Sequence, residues 1–283
     1  MAHNVSPLVL RRRLRTELRK RREELKLTQE QVATAMYWSL SKMIRIEQEK
    51  NSISPNDLKA LMQLYEITDA EKKAELIGLA REARKQGWWR GFSEDAPKEL
   101  LELIDYESAA SSVRQFETMF VPGILQTKEY ARAVLQNFYE EKPAAELAEL
   151  RTRREDLLTR PGAPQFLFIL DEPVIQRLAG GPSVMRPQLH RLVDVAELPN
   201  VTIQVVPFSA GLHPGTKGPF EIIQFADAAD EYVVFLETPR GDNITDAPED
   251  IASYLAAFER IGEISLNPDE SVSRINEVAK GMA

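Results

Sequence analysis

The side chains that could hold a metal or act as a nucleophile are few in this chain of 283 residues. It contains no cysteine, and its three histidines, His3, His190 and His213, lack partners at the i, i+4 spacing of a helical metal site. Gly215–Gly218 places a lysine between glycines, but the strand-loop-helix context of a phosphate-binding loop is missing. The sequence therefore predicts no disulfide, no metal centre and no bound cofactor.

Acid–base chemistry and self-cleavage also lack a suitable set of residues. Asp171 and Glu172 could form an acid pair with Glu237, but at strand ends such residues are ordinarily helix caps and rim charges. A self-cleaving protein would need a Ser–Lys dyad, and the nearest candidates are Ser183 and Lys217, far apart in the sequence. We therefore expect that the chain is not an enzyme.

Hydrogen-bond donors in the first 50 residues could instead contact DNA. Ser41, Lys42 and Arg45 fall in the first turns of a predicted helix that begins at Leu40. Lysine and arginine donate to guanine O6 and N7, serine donates or accepts, and an apolar side chain can contact a thymine methyl group. We predict that Leu40, Ser41, Lys42 and Arg45 read bases, and the alternative for Leu40 is packing.

A second set of donors is predicted to contact phosphates. Gln29 and Ser39 lie at predicted helix starts, where backbone N–H groups also favour an anion. Arg11 and Arg15 lie upstream and could add phosphate contacts. For either arginine the alternative is a solvated helix face. Glu47 is predicted to be an ion-pair partner rather than a base reader.

The charge distribution supports this assignment. The whole chain has a formal net charge of −8, of which residues 1–65 contribute +6 and the remainder −14. A basic segment on an acidic body is expected when one domain meets phosphates and the other does not. Basic N-termini also occur in proteins that bind no nucleic acid, so the charge alone does not decide the function.

Short helices are predicted to position these donors. Leucines recur at helical spacing in the first of them, and Thr28 with Gln31 forms a capping-box pattern before the second, which covers 29–36. A turn at Tyr37 and Trp38 leads to a third helix over 40–48, capped by Ser39, and Pro55 suits the first turn of a fourth. The apolar positions that would pack the two crossing helices are Val32, Met36, Trp38, Met43 and Ile46.

The segment LTQEQVATAMYWSLSKMIRIE resembles the Xre-type helix-turn-helix of phage repressors and their bacterial relatives. The resemblance implies a λ-repressor-like helical domain whose third helix enters the major groove. Two positions depart from the pattern. Tyr37 stands where such motifs usually carry glycine, which is costly if its φ is positive. The loop after Glu47 lacks the usual Asn-Gly, and Asn51 could supply a left-handed residue instead.

The rest of the chain is predicted to be a helical linker and an α/β (α+β) domain. The expected domains are 1–68 for the helix-turn-helix, 69–87 for a linker helix, and 88–283 for the regulatory domain. That domain should hold a mixed sheet of about five strands with covering helices. Trp88 and Trp89 are predicted to lie at a domain seam or in a core, with a ligand cage as the alternative. The predicted strands are 112–122, 166–170, 201–206, 220–225 and 232–237.

Several motifs, among them FVPGILQTKEYARAVL and NVTIQVVPFSAGLHPGTKGPFEI, extend the resemblance along the chain. They are similar to actinobacterial Xre-type regulators with a conserved, uncharacterised C-terminal domain, including WhiJ-like and antitoxin-like regulators. The resemblance implies binding of double-stranded operator DNA, often with a small toxin-like partner protein encoded by an adjacent gene.

Two interpretations of the C-terminal domain remain open. In the first, it forms a homodimer and receives a protein signal. In the second, it is a small-molecule sensor with a pocket lined by 211–220 and Trp88–Trp89. The candidate ligand or partner surface is Trp88, Trp89, His213, Thr216 and Lys217. The basic run near the N-terminus follows its apolar patch, the wrong order for a signal peptide, and no apolar stretch could span a bilayer. We therefore expect a cytoplasmic, nucleoid-associated protein that contacts no membrane.

Overall fold

The computed structural model describes residues 7–47, 53–84, 96–226, 232–237 and 243–282. The chain divides into two compact units, Met1–Arg90 and Gly91–Ala283. Asn51, Trp88 and Trp89 lie outside the described residues, so the roles predicted for them stay predictions. No helix among the described residues combines the length and the apolar character needed to cross a membrane.

The described part of the N-terminal unit is helical, and its hydrogen-bonded caps lie where the sequence predicts them. Thr28 and Gln31 form both bonds of the capping box. The Ser39 hydroxyl accepts a hydrogen bond from the Lys42 N–H, and Ser54 caps the next helix, which has a proline in its first turn. The helices are α1 (Pro7–Glu24), α2 (Gln29–Ala35), α3 (Leu40–Glu47), α4 (Pro55–Leu64) and α5 (Ala70–Glu82).

Three of these helices, α1, α2 and α4, are followed two residues later by a left-handed residue that is not glycine. Lys26, Tyr37 and Glu66 each have φ of +54°. Beyond each of them the next N–H reaches back five residues, as in the 2.8 Å bond from Trp38 N–H to the Ala33 carbonyl. The costly turn foreseen at Tyr37 is therefore present, and its backbone direction sets how α3 leaves α2.

One apolar core joins the helices of the N-terminal unit. Its fully buried side chains include Val32, Met43 and Tyr65. The predicted linker helix is also part of it, because Leu76 and Leu79 of α5 are buried in the same cluster. The sequence did not indicate this role, because α5 is mostly polar and only a few of its apolar side chains enter the core.

The C-terminal unit has α/β architecture with a mixed sheet, as predicted. Its strands are β1 (Ala110–Glu117), β2 (Gln165–Asp171), β3 (Val201–Val206), β4 (Phe220–Phe225), β5 (Tyr232–Leu236) and β6 (Asn243–Thr245). Its helices are α6 (Lys98–Ala109), α7 (Lys128–Leu135), α8 (Glu141–Arg153), α9 (Asp156–Thr159), α10 (Glu172–Gln176), α11 (Pro182–Ala196), α12 (Pro248–Glu263) and α13 (Pro268–Gly281). Short 3₁₀ turns cover Gly123–Leu125, Phe208–Ala210 and Pro214–Lys217.

The strand order reverses at β1. Across the described residues the six strands run β3-β2-β1-β4-β5-β6. β1, β2 and β3 are parallel, whereas β4, β5 and β6 each pair antiparallel to the preceding neighbour in that order. The chain thus builds one side of β1 and then crosses to the other. The carboxyl end of β1 is the point at which open α/β sheets most often bind ligands.

Helices cover both faces of this sheet. Phe258 and Ile261 of α12 pack on the face that carries Phe116, Ile222 and Val234. On the opposite face Tyr106 of α6 meets Phe225, with ring centroids 5.8 Å apart.

Two differences from the sequence prediction stand out in this unit. The first predicted strand ends at Glu117 rather than at Pro122, which begins a 3₁₀ turn. One of the covering helices, which the sequence predicts as a single helix over 143–160, is divided into α8 and α9.

Candidate nucleic-acid interface

α3 presents one face to solvent and buries the other. Leu40, Ser41 and Arg45 are exposed, whereas Met43 and Ile46 are buried in the core of the N-terminal unit. Arg45 makes no hydrogen bond or ion pair with any other described residue, so its guanidinium is available to an external acceptor. Three of the four predicted base readers therefore share one accessible face.

Lys42, the fourth predicted reader, is held within the unit. Its Nζ lies 3.0 Å from Asp57 Oδ2 of α4 and 4.0 Å from the centroid of the Trp38 ring. The ammonium group is thus paired with a carboxylate and stacked on an aromatic face. To read a base, Lys42 has to exchange the Asp57 carboxylate for guanine, so its contribution is smaller than that of an unpaired lysine.

A buried cluster of charges fixes α3 against α1 and α2. Arg22 Nε lies 2.7 Å from Glu47 Oε1, and both side chains are buried. Gln29 Nε2 donates to Glu47 Oε2 over 2.6 Å, and Arg22 also donates to the Leu27 carbonyl. Glu47 is the structural ion-pair partner that the sequence analysis expects. Its partner Arg22 was missed, because 25 residues separate the two and no spacing rule connects them.

The predicted phosphate contacts are unequal in the structure. The Gln29 amide nitrogen is committed to Glu47, whereas Ser39 is exposed at the start of α3. Arg11 is half-buried, and its Nε donates to the Ala83 carbonyl over 2.9 Å. Arg15 is also half-buried. For Arg11 the structure supports a packing role between α1 and the end of α5.

Comparison with known protein families divides the chain in two. Residues 13–76 match a family described as a helix-turn-helix domain. Residues 100–277, well over half of the chain, match the family described as a domain of unknown function, DUF5753. The chain belongs to the DUF5753 family. Its N-terminal unit is a helix-turn-helix domain, the fold of a DNA-binding regulator. No curated protein and no solved structure matches the chain.

The DUF5753 unit buries part of the surface that the sequence analysis proposed for a ligand or partner. His213 is buried, and its ring meets Phe116 edge-on at 5.8 Å between centroids. Its Nε2 lies 3.7 Å from Asp171 Oδ1. The His213 side chain thus packs against β1 and β2 inside the unit, and its predicted part in a ligand or partner surface stays a prediction. Thr216 and Lys217 of the same loop are exposed.

Asp171 and Glu172 of the DUF5753 unit have structural roles. Asp171 caps α10, as expected for a carboxylate at a strand end. Glu172 is buried and accepts hydrogen bonds from the Phe208 N–H and from the Arg274 guanidinium. It thereby ties the segment after β3 and α13 to α10. Within the described residues no three His, Asp or Glu side chains come close enough to hold a metal ion.

Proposed function

We propose that this protein is a sequence-specific transcriptional regulator of the Xre type that reads operator DNA with α3. The observation that carries the proposal is the division of α3 into a buried face and an accessible face with Leu40, Ser41 and Arg45. A recognition helix needs rigid support behind it and hydrogen-bonding groups in front. The Arg22–Glu47 pair supplies that support.

In this proposal the residues of α3 have distinct roles. Arg45 donates to guanine O6 and N7, Ser41 adapts to a neighbouring base, and Leu40 contacts a thymine methyl group. Lys42 contributes only when it leaves Asp57. Ser39 contacts a phosphate at the N-terminus of α3, where the helix dipole adds to the attraction.

The test is fluorescence anisotropy with the full chain, on an operator obtained by selection from random DNA. Arg45→Ala should lower affinity for the operator by about 1–3 kcal/mol and leave affinity for scrambled DNA nearly unchanged. Arg260→Ala, which removes an exposed arginine from α12, is the matched control and should change neither. If Arg45→Ala weakened binding to both DNAs equally, Arg45 would be a phosphate contact and the assignment of α3 would fail.

The salt dependence of binding tests the electrostatic part of the proposal. Contacts to about 4–8 phosphates should give log K a slope of about −4 to −7 against log salt. If affinity did not depend on salt concentration, the basic N-terminal unit would not be the DNA-binding surface.

We further propose that the protein acts as a homodimer through the DUF5753 unit. One helix-turn-helix domain buries too little surface for tight specific binding. Two such domains, on half-sites one helical turn of DNA apart, bury enough. Light scattering at micromolar concentration should give twice the chain mass of 32.1 kDa. A monomer that protects a single half-site would contradict the proposal.

The proposed signal to the DUF5753 unit is a small basic protein of the toxin type encoded by an adjacent gene, which would make the regulator antitoxin-like. Two features support it. Residues 66–283 carry a formal net charge of −14, which speeds encounter with a basic surface. Phe208 and Leu212 expose 62% and 94% of their surfaces after β3. Such a regulator would work at the nucleoid, in the cytoplasm. Absence of binding at tens of micromolar in calorimetry would contradict the partner.

A second candidate function for the same unit is a small-molecule sensor. It is favoured by one observation, the buried and unpaired carboxylate oxygen of Glu221. A buried acceptor without a donor is the kind of group that a bound molecule satisfies.

A further inference from the structure

Three carboxylates lie on one face of the sheet in the C-terminal unit, near the carboxyl end of β1. Glu117 is the last residue of β1, and Gln115 on the same strand pairs with Glu221 of β4. Glu221 in turn pairs with Phe235 of β5, and Glu237 follows two residues later on the same side of the pleat. Because Gln115, Glu221 and Phe235 are in register, Glu117, Glu221 and Glu237 lie on one face of the sheet, at or near the carboxyl end of β1.

The hydrogen bonds at this end of β1 are incomplete. Glu221 exposes only 2% of its surface, and its Oε1 has no hydrogen-bond partner among the described residues. Glu117 is also buried, and its Oε1 accepts one bond of 2.8 Å from Gln115 Nε2. Arg151 of α8 donates from Nη1 to Gln126, while its buried Nε has no partner in the described part of the chain. An acceptor and a donor thus stand unsatisfied in one polar region.

The charges of this region do not balance either. Glu107 is buried and forms a bidentate pair with Arg154, so these two neutralise each other. Arg151 interacts with Glu117 and Glu237, whereas the guanidinium that acts on Glu221 is Arg154, which is already paired with Glu107. These four carboxylates therefore outnumber the two guanidinium groups by two. Burial is the largest cause that raises the pKa values of Glu117 and Glu221 well above the ordinary range, and neighbouring carboxylates add to it.

Stability of the fold does not require this arrangement. A buried acceptor left without a donor costs about 1–3 kcal/mol, and an apolar side chain of similar shape would avoid that cost. The position matters as well, because the carboxyl end of β1 is where the strand order reverses. Ligands of open α/β sheets bind at such a point.

We propose that the carboxyl end of β1 is a binding site for a small organic cation, with an ammonium group donating to Glu221 Oε1 and Glu117 and a ligand oxygen accepting from Arg151 Nε. The proposal goes beyond DNA binding and does not depend on it. A metal ion fits less well, since no three acidic or histidine side chains of the described residues converge as ligands. A ligand with two excess positive charges would match the two unbalanced carboxylates, and one with a single charge would leave the second protonated.

The experiment is calorimetric titration of the full chain, without DNA, with glucosamine, agmatine and spermidine as probes. N-acetylglucosamine is the matched ligand control, because it keeps the hydroxyl groups and lacks the ammonium. We expect at least one cationic probe to bind below about 1 mM. The affinity of agmatine or spermidine should rise with pH, because the cation replaces a proton on a buried carboxylic acid. N-acetylglucosamine should not bind.

The variant Glu221→Gln should lower that affinity by about tenfold or more, because the amide has no charge to offer. Glu259→Gln, which removes an exposed acid from α12, should leave it unchanged. Glu237→Gln, at the exposed end of the cluster, gives the same test if Glu221→Gln fails to fold. The inference is overturned if no cationic probe binds at about 10 mM, or if Glu221→Gln and Glu237→Gln both bind as the original chain does. Neither result bears on the DNA-binding proposal.

Discussion

Arg22 holds Glu47 through two hydrogen bonds, from Nε to Oε1 over 2.7 Å and from Nη2 to Oε2 over 3.1 Å. Both side chains are buried, and the pair joins the last turns of α1 and α3. Gln29, the first residue of α2, donates to the same carboxylate. One charge therefore sets the mutual placement of the three helices that form the DNA-binding motif.

Removing that charge should disorder the recognition helix. Glu47→Gln removes the buried counter-ion of Arg22 and leaves only the exposed Glu23 carboxylate, 3.5 Å from its Nη2. Loss of one partner of a buried ion pair typically costs about 3–5 kcal/mol. Hydrogen exchange measured on peptides from residues 7–47 should accelerate, and operator binding should fall with it. Glu24→Gln is the control, because Glu24 pairs with Arg21 at the exposed surface, where such pairs contribute about 0–1 kcal/mol. Equal exchange rates in the two variants would show that the buried pair does not hold α3.

Replacing Tyr37 by glycine should stabilise the N-terminal unit. Tyr37 has φ of +54° and exposes 98% of its surface, so it pays the cost of a left-handed backbone without packing in return. Glycine adopts this conformation freely, and a gain of about 1 kcal/mol is expected in thermal unfolding followed by circular dichroism. Thr34→Gly, at an exposed position inside α2, is the opposite control and should destabilise the unit by a similar amount. A loss of stability in Tyr37→Gly would mean that the ring has a role not visible in its contacts.

Releasing Lys42 from Asp57 should strengthen DNA binding. Asp57→Asn keeps the shape of the side chain at the start of α4 but removes the charge that lies 3.0 Å from Lys42 Nζ. The free ammonium can then reach a phosphate or base, and the slope of log K against log salt should steepen by about one. Lys59→Gln, on an exposed position of α4, is the matched control for a change of charge on that helix and should shift binding the other way or not at all. Weaker operator binding by Asp57→Asn would show that the pair positions α3 instead of restraining Lys42.

The features of the DNA-binding motif that depend on near neighbours could be predicted from sequence. The caps at Thr28 and Ser39 and the proline at the start of α4 follow from residues three or fewer positions apart. The left-handed turn at Tyr37 follows from the resemblance to the Xre-type motif, which usually carries glycine at this position. The pairing of Arg22 with Glu47 could not be predicted, because the chain contains many arginines and only the packed fold selects one.

In the C-terminal unit, too, the features that depend on near neighbours could be predicted from the sequence and those that depend on distant residues could not. Strands β2, β3 and β4, which are rich in large apolar and β-branched residues, agree closely with their predicted bounds. β6 was missed because three residues carry too little alternation to indicate a strand, and α6 because its charged residues mask a short apolar stripe. The cluster formed by Glu117 and Glu221 depends on register between β1 and β4, which residues more than 100 positions apart determine.

The buried carboxylate of Glu221 should make stability fall as pH rises. Burial and the charges of Glu107, Glu117 and Glu237 raise its pKa well above the ordinary value, while Arg154 opposes the rise. The folded chain therefore binds this proton more tightly than the unfolded chain. The resulting stability is complete below the unfolded pKa of about 4.3 and is lost as pH rises towards the folded pKa.

Glu221→Gln should remove this dependence, because an amide does not titrate. The variant should gain stability relative to the original chain with increasing pH, by up to about 1.4 kcal/mol for each pH unit between the two pKa values. Chemical denaturation across that range measures the difference, with Glu259→Gln as the control. Parallel curves for Glu221→Gln and the original chain would contradict a proton held at this site.

In the loop from His213 to Gly218, Gly215 should be required for stability, whereas Lys217 should not. A Cβ at Gly215 would lie 2.2 Å from Cε1 of Phe116, whose ring is fully buried between β1 and α12. Gly215→Ala should therefore force the ring or the loop to move and destabilise the C-terminal unit by about 1–3 kcal/mol. Gly262→Ala is the matched control, since its Cβ would meet Ile169 at an ordinary 3.8 Å inside a helix, where alanine is preferred.

Lys217→Ala completes this test, because Lys217 is exposed at the end of the same loop and should leave stability unchanged. Calorimetric unfolding of the full chain distinguishes the three variants. If Gly215→Ala were as stable as Gly262→Ala, the close contact with Phe116 would not hold the loop. The loop would then be free to serve a bound partner, and Lys217→Ala should weaken that binding without a change in stability. If Gly215→Ala is destabilised and Lys217→Ala is not, the buried part of the loop belongs to the packed core of the sheet. Thr216 and Lys217 are then the exposed residues of this loop that could contact another molecule.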